Sequence, residues 1–562
     1  MSNVFLPRVN RQNRNDALVQ HKRKPCFLIP KEKEFHPHSP CEVCFPSTTN
    51  LHPCAYEELG VRNLLAVAQP NSKLSIPWHN ILQQYFKSLQ VHWGQLEKLG
   101  KIDAPKLYVV IHQNKFDVTV LAYTLLVGLQ ETNIEFLNQN DSNYFGLSNP
   151  AGDKEKNGKF SKVLFIDAEN SDLMLTTIGN SFCGSDQLDV LLIPTSVCYE
   201  QPIKHTSNSS ELHSNWKPNV RINFGLPHSF KDFISNNKNK DNMIVDLKQH
   251  MRHEIWRNTP IMSVHVLSMI LQYRIKSKDF ELKDCAQLMD EFQKKFRQHH
   301  DLAFVGDLDA ITQYSLEVFS MKGFVPFSSV AVEVMKLESL MMKSLFSAMD
   351  VMEFDLHSDT CRVSQNRLLE NFRKIASLLR HEIDFINPPC LSASASEKKV
   401  LDYLIDNLVL SQQSDEPNSG EQLMAKRIAY NLDVESEDEE DWARRPTIDT
   451  LFYVNIANAL SHKWITTVTS TVLDVYYVAA KQLLELRKID VVEETVFLQR
   501  ISEELKRKGH DFDAAAQNAM KLFKEEGIIE SYSHSDVKIL YLKDPFDETR
   551  ILRLIHEIAQ FC

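Results

Sequence analysis

The chain has 562 residues, too many for one hydrophobic core, so two to four folded units are expected. Hydrophobic residues make up 43% and charged residues 24%, which is typical of a globular, helix-rich protein. A net charge of −11 argues against nucleic acid as a general partner. The sequence has no run of 18 uncharged apolar residues and no secretory apolar segment at its start, so we expect no membrane-spanning helix and a reducing compartment.

Residues 1–60 are polar and rich in proline, and we predict an extended N-terminal arm. Cys41 and Cys44 have the spacing of zinc ligands, but a zinc site needs a second pair of ligands. His52 and Cys54 match such a pair poorly. We therefore favour loop cysteines over a zinc site.

Residues 61–245 alternate between helical and strand patterns and predict an α/β domain in which helices flank a mixed sheet. At the start of this region, apolar residues at helical spacing predict helices over 61–100; these are Ile81, Leu82, Tyr85, Leu89 and Trp93. Apolar runs predict buried strands at 107–111, 163–166 and 190–200, the last interrupted by Pro194, and a further strand is predicted at 220–224.

His112 and Asp117 stand five positions apart where the strand at 107–111 gives way to a helix at 118–129. Open α/β sheets keep their sites at the carboxyl ends of such strands. A carboxylate beside one ring nitrogen of His112 would keep that nitrogen protonated and raise the basicity of the other. The pair is therefore a candidate general base for a hydroxyl, although the same spacing also occurs by chance.

The rest of the chain has mostly helical spacing. Residues 246–410 contain two candidates for membrane docking, the uncharged run 261–273 and an apolar stripe over 330–345. We interpret the first as a buried helix or an in-plane membrane segment, and the second as a core-facing amphipathic helix. An acidic linker at 411–450 and a helical C-terminal domain at 451–562 complete the predicted organisation.

His-x4-Asp at a strand end, followed about eighty residues later by IPTSVCYE, resembles the glycerol-3-phosphate acyltransferase family, and most closely its mitochondrial animal type. His112 and Asp117 match the first motif of that family. Ile193, Pro194, Ser196 and Tyr199 match its fourth motif. VRINFGLPHSF at 220–230 looks like the strand that follows, and 261–274 falls where the family has its first proposed membrane segment.

The resemblance implies an acyl-CoA-dependent acyltransferase of glycerolipid synthesis, with His112 as general base and Asp117 as the residue that orients it. It also implies substrate-binding roles for Pro194, Ser196 and Tyr199. Acyl-CoA is the expected co-substrate, and neither a metal nor another cofactor is expected. The expected partners are glycerol 3-phosphate or a related acceptor and a membrane surface, at the mitochondrial outer membrane or, alternatively, the endoplasmic reticulum.

Two motifs of the family are degenerate in this chain. No counterpart of the second motif lies between 130 and 162, and the arginine-rich third motif is replaced by the acidic stretch 167–172. Those arginines are the expected phosphate ligands. Either Lys159, Lys162 or Arg221 takes their place, or the phosphorylated acceptor binds poorly. The alternative function is therefore a catalytically impaired family member that acts as a membrane-associated scaffold or acyl-CoA-binding protein.

Overall fold

The computed structural model describes most of the chain from residue 61 onward. The ranges are 61–67, 75–112, 116–131, 134–137, 161–167, 170–182, 189–200, 217–236, 242–275, 282–296, 301–304, 306–322, 329–349, 360–382, 393–412, 450–507, 513–534, 537–543 and 546–562. The arm at 1–60 with its Cys41-x2-Cys44 pattern, Lys159 and residues 413–449 of the acidic linker lie outside these ranges.

Two compact units are present. The described residues up to Met335, together with Ala393, form the first unit, and the other described residues from Lys336 onward form the second. The first unit contains the mixed sheet flanked by helices that the sequence predicts. The second unit is mainly helical and also contains two small sheets.

The sheet of the first unit has eight described strands in the order β1-β2-β7-β6-β3-β5-β4, with β8 paired to β6. The strands are β1 (Val61–Asn63), β2 (Ser88–His92), β3 (Lys106–Val110), β4 (Ile134–Phe136), β5 (Ser161–Phe165), β6 (Leu191–Tyr199), β7 (Asn219–Phe224) and β8 (His228–Ser229).

Strand β3 lies in the middle of this sheet, parallel to β5 on one side and to β6 on the other. All five of its residues are buried, because helices cover both faces of the sheet. Strand β7 is antiparallel to β6 and parallel to β2. The carboxyl ends of β3, β5 and β6 therefore share one edge of the sheet.

The described helices of the first unit divide between the two faces of the sheet and a region after it. They are α1 (Leu64–Val67), α2 (Ser75–Tyr85), α3 (Trp93–Lys101), α4 (Asp117–Tyr123, continued by a π-helical turn at Thr124–Gly128), α5 (Ser171–Phe182), α6 (Phe230–Asn236), α7 (Met243–Arg257), α8 (Ser263–Ile275), α9 (Leu282–Phe296), α10 (Leu308–Lys322) and the start of α11 (Ser329–Met349). Helices α2 to α4 cover the face that carries Tyr108 and Tyr199, while α5 to α7 cover the face that carries Val109.

One stretch predicted as helix is a strand. Ser88–His92, which includes Leu89 of the apolar helical pattern, forms β2 between β1 and β7. All five residues of β2 are buried, so the strand has no alternation of apolar and polar side chains that would distinguish it from a helix.

The uncharged run 261–273 forms most of helix α8. Its side chains from Ile261 to Leu271 are buried, and α9 and α10 pack against it, so these side chains belong to the core of the first unit. Met341 and Leu345 of the predicted stripe in α11 are also buried. No helix among the described residues combines the length and the apolar character needed to cross a bilayer.

The second unit contains the same arrangement of elements twice. The first copy consists of β9 (Thr360–Ser364), α12 (Gln365–Leu378), α13 (Ala393–Asp406), β10 (Leu410–Gln412) and β11 (Leu451–Asn455). Helices α14 (Ile456–Ser461) and α15 (Thr467–Ile489) follow. The second copy consists of β12 (Val491–Glu493), α16 (Glu494–Arg507), α17 (Asp513–Glu525), β13 (Ile529–His534) and β14 (Val537–Leu542), and α18 (Glu548–Ala559) comes last.

The two copies agree in topology and in register. In each, the third strand lies between the first and the second, and both pairings are antiparallel. Tyr453 of the middle strand pairs with Arg362 in the first copy, and Tyr541 pairs with Val491 at the same position of the second. Agreement of connection order and register indicates an internal duplication.

The turn after the second helix of each copy agrees as well. Leu408 has φ of +56° and Gly527 has φ of +65° at the same position. The next residue, Val409 or Ile528, donates its N–H to the carbonyl five residues earlier, over 2.9 Å and 2.8 Å respectively. Residues 411 and 412 of the predicted linker at 411–450 belong to β10, and the rest of it joins β10 to β11, which are neighbouring strands of one sheet.

Candidate active site

The candidate site lies at the carboxyl end of β3, where the chain leaves the sheet and enters α4. His112 stands two residues after the last residue of β3, and Asp117 is the first residue of α4. The apolar run of β3 buries the strand up to Val110, and the polar residues that follow it bring the chain to the edge of the sheet. Both side chains therefore reach the edge that β3 shares with β5 and β6.

His112 and Asp117 face each other across this corner. Nδ1 of His112 lies 3.3 Å from Oδ2 of Asp117. The imidazole is 40% exposed, whereas the carboxylate has no exposed surface. The charge of Asp117 is thus held in the protein interior while the ring that it contacts can reach solvent.

Tyr199, the last residue of β6, completes the arrangement. Its hydroxyl donates a hydrogen bond to Oδ1 of Asp117 over 2.5 Å. Since β6 and β3 are adjacent parallel strands, the end of β6 brings the phenol next to the start of α4. The structure therefore brings together three of the residues that the sequence predicts for the site.

A second carboxylate holds the backbone at the same corner. Asp167, which follows β5, accepts the backbone N–H of His112 through Oδ1 at 3.0 Å. Phe165, two residues earlier, meets the imidazole edge-on with ring centroids 5.1 Å apart. The end of β5 thus contacts both the backbone and the ring of His112.

The surroundings of His112 favour its protonated form. The hydrogen bond to Asp117 raises the pKa of His112 above its ordinary value, partial burial opposes this, and the charges of Asp117 and Asp167 add to the rise. Burial, together with the charge of Asp117, raises the pKa of Tyr199 well above its ordinary value. Tyr199 is consequently a hydrogen-bond donor over the whole physiological pH range.

Tyr199, which binds Asp117, belongs to a cluster of aromatic rings. Phe116 packs against Tyr85 with ring centroids 4.8 Å apart and against Phe86 at 5.6 Å, and Phe86 lies 6.0 Å from Tyr199. The Asp117 carboxylate itself has no exposed surface, so water does not weaken its interactions with its partners.

Pro194 and Ser196 lie on the other face of β6. Side chains alternate along a strand, so positions 194 and 196 point away from the face of Tyr199. Ser196 donates its hydroxyl hydrogen to the carbonyl of Asn258 over 3.1 Å. Pro194 packs against Gly225, and a Cβ added to Gly225 would lie 3.2 Å from the Cβ of Pro194. Both residues contact the protein interior and do not contact His112.

Arg221 also lies on that opposite face, because it pairs with Cys198 of β6. The side chain is fully buried and donates from Nη2 to Oδ2 of Asp301 over 2.7 Å, with Nε2 of His92 2.8 Å from the same nitrogen. Burial alone would raise the pKa of Asp301, but Arg221 and His92 hold it well below its ordinary value. Arg221 thus serves as an internal counterion of Asp301.

Lys162 lies near the amino ends of β3 and β5, at the other end of these strands from His112. It pairs with Leu107, near the amino end of β3, whereas His112 follows the carboxyl end. Its ammonium lies 3.1 Å from Oε2 of Glu135 on the adjacent strand β4. Lys162 and Arg221 are therefore both engaged by carboxylates away from His112.

Asp167 and the aromatic rings beside Asp117 were not among the predicted site residues. Asp167 ends a strand parallel to β3, so its position at the same edge was accessible to sequence reasoning. The sequence does not mark Tyr85, Phe86 or Phe116 as site residues, because aromatic residues are more often core residues.

Comparison of the sequence with models of known protein families gave no match, and comparison with curated proteins gave no match either.

Proposed function

We propose that the chain is an acyl-CoA-dependent O-acyltransferase acting on a hydroxyl of glycerol 3-phosphate or a related acceptor, as its motifs imply. The observation that carries the proposal is the 3.3 Å contact between the half-exposed imidazole of His112 and the buried carboxylate of Asp117. A carboxylate on Nδ1 keeps that nitrogen protonated, which leaves Nε2 as the proton acceptor that alcohol activation requires.

The proposed reaction is direct transfer. Nε2 of His112 takes the hydroxyl proton of the acceptor as the hydroxyl oxygen attacks the carbonyl carbon of the thioester. The tetrahedral intermediate collapses with cleavage of the carbon–sulfur bond, and His112 returns the proton to the sulfur of coenzyme A. Asp117 offsets the positive charge that His112 carries between these two transfers. Acyl-CoA is a co-substrate in this scheme, and the ester and free coenzyme A are the products.

The proposal places the protein on a membrane surface, since long acyl chains and glycerolipids partition there. The resemblance favours the mitochondrial outer membrane, with the endoplasmic reticulum as the alternative. Peripheral attachment is favoured because the side chains from Ile261 to Leu271 of the first docking candidate are buried in the core of the first unit.

A second candidate function is binding without transfer. Lys162 and Arg221 are held by Glu135 and Asp301, and Asp167 places a carboxylate against the backbone of His112. A phosphorylated acceptor would meet this negative charge. These contacts favour an impaired family member that binds acyl-CoA or serves as a scaffold, or an enzyme whose acceptor is less charged.

The test is an acyl-transfer assay with purified full-length protein and labelled acyl-CoA. Glycerol 3-phosphate, dihydroxyacetone phosphate and an uncharged alcohol such as glycerol are offered in parallel as acceptors. His112→Ala removes the base, and His253→Ala, a change in a histidine of α7 outside the site, is the matched control. We expect product with at least one acceptor, lost in His112→Ala and retained in the control.

Two other outcomes are informative. Acyl-CoA binding without transfer to any of these acceptors would support the scaffold and contradict the enzyme. Equal activity in wild type and His112→Ala would contradict the assigned base.

A further inference from the structure

Both oxygens of the Asp117 carboxylate have identified partners. Oδ1 accepts the hydroxyl hydrogen of Tyr199 over 2.5 Å, and Oδ2 lies 3.3 Å from Nδ1 of His112. The terminal torsion of an aspartate is broad and two-fold, so by itself it does not set where the oxygens point. Because the carboxylate is planar and rigid, fixing one oxygen also fixes the direction of the other. The hydroxyl of Tyr199 therefore determines where Oδ2 points.

We propose that Tyr199 is a positioning residue, whose hydroxyl holds the Asp117 carboxylate in the orientation that presents Oδ2 to His112. This inference rests on the proposed acyltransferase function. It replaces the substrate-binding role that the motif resemblance implies for Tyr199 with an effect exerted through Asp117 and His112.

The surroundings of Tyr199 suit a fixed support. Its backbone is held in β6, where Tyr199 pairs with Val220 of β7, and its ring lies 6.0 Å from that of Phe86. Only 6% of its surface is exposed, which leaves little of it for a ligand. Its single hydroxyl hydrogen is donated to Asp117, so it is not free for a substrate oxygen.

If Tyr199 had a purely structural role, it would only supply the hydrogen-bond donor that any buried carboxylate needs. The chain offers a matched case on the neighbouring strand. Tyr108 of β3 is fully buried and donates its hydroxyl hydrogen to Oε1 of Glu131 over 3.0 Å. Removing either hydroxyl takes one hydrogen bond from a carboxylate within the same unit, but only Tyr199 is connected to His112.

The experiment compares Tyr199→Phe with Tyr108→Phe in the full-length protein. In Tyr199→Phe, we expect kcat to fall about 10- to 100-fold, while KM for acyl-CoA and for the acceptor changes less than about twofold. The acidic limb of the pH profile should move to lower pH, because a carboxylate that turns away no longer raises the pKa of His112. Asp167, the other described carboxylate in contact with His112, is unchanged in this variant.

Tyr108→Phe is expected to keep wild-type kcat and an unshifted pH profile. Equal losses in the two variants would reduce Tyr199 to a structural residue and overturn the proposal. A raised KM with unchanged kcat would also overturn it, because that result identifies a substrate ligand. So would a shift of the acidic limb to higher pH, which would show that Tyr199 only withdraws charge from Asp117.

A measurement without turnover separates this proposal from the proposed function. The ring of His112 is titrated by NMR in protein labelled with ¹³C-histidine, and its signal is identified by its loss in His112→Ala. A lower pKa of His112 in Tyr199→Phe than in wild type supports positioning even if no acceptor is acylated. An unchanged pKa overturns positioning even if the enzyme is active.

Discussion

Asp117 and Asp301 are both buried carboxylates of the first unit, and their surroundings assign them different tasks. Asp301 is neutralised by the guanidinium of Arg221, and loss of either partner would leave an uncompensated charge in the interior. Asp117 accepts a hydrogen bond from neutral Tyr199 and contacts the titratable His112. Protonation of His112 therefore depends on Asp117, which is the coupling a general base requires.

Asp117→Asn is predicted to abolish most of the proposed activity. An amide cannot offset the charge of the imidazolium, so we expect a loss in kcat/KM on the order of 10²–10⁴-fold. The wild-type pKa of His112 is raised, and the neutral, basic form is gained as the pH rises through that pKa. The acidic limb should therefore lie above pH 6.5, the ordinary value, in the wild type and move down in the variant. A limb at the same pH in both proteins would contradict the coupling.

Arg221→Met is predicted to destabilise the first unit without a direct effect on the site. It leaves Asp301 buried without its cation, which should cost about 3–5 kcal/mol of the free energy of unfolding. Lys101→Met, which breaks the exposed pair with Glu97, is the control and should cost less than about 1 kcal/mol. Denaturant unfolding measures both, and equal losses would show that Arg221 is not needed as a counterion.

At the scale of elements, short apolar runs were sufficient to predict β3 and β5, and β3 lies within one residue of its predicted bounds. Strand β2 was missed because its residues fit a helical pattern equally well. The small sheets of the second unit were missed because strands of three to six residues are too short for a periodic signal.

At the site, too, a contact between residues close in sequence could be predicted, whereas a contact that depends on strand order could not. His112 and Asp117 are close in sequence, so one turn brings them together. The contact of Tyr199 with Asp117 depends on β6 lying beside β3, an order that the sequence alone does not specify. The position of Arg221 depends on strand register, since one step along a strand moves a side chain to the other face. Lys162 is separated from His112 because it lies at the amino end of its strand.

The duplicated turn predicts opposite responses to substitution. Gly527→Ala places a Cβ at a φ of +65° and should lower the free energy of unfolding by about 1 kcal/mol. Leu408→Gly relieves the same conformation at a side chain that is 70% exposed, so it should not destabilise the protein. Leu552→Gly, on the half-exposed face of α18, is the control and should cost about 1 kcal/mol. Similar losses in both leucine variants would contradict the equivalence of the two turns.

At the scale of the whole molecule, the first unit carries the candidate site and the second carries the duplicated element. If the protein works on a membrane as proposed, we predict that its attachment is peripheral, because the side chains from Ile261 to Leu271, in the first candidate for membrane docking, are buried in the core of the first unit. We expect alkaline carbonate to release it from isolated membranes into the supernatant, whereas an integral marker protein stays in the pellet. Retention in the pellet after carbonate would contradict peripheral attachment.

The position of residues 413–449 has a consequence for proteolysis. Because β10 and β11 on either side pair in one sheet, a single cut in this segment need not separate the two parts of the chain. We expect cleavage at a protease site introduced there to yield two bands on a denaturing gel but one species of unchanged size in gel filtration. The nicked protein would then be a non-covalent complex of its own fragments, and a cell that cleaved it would retain an assembled molecule.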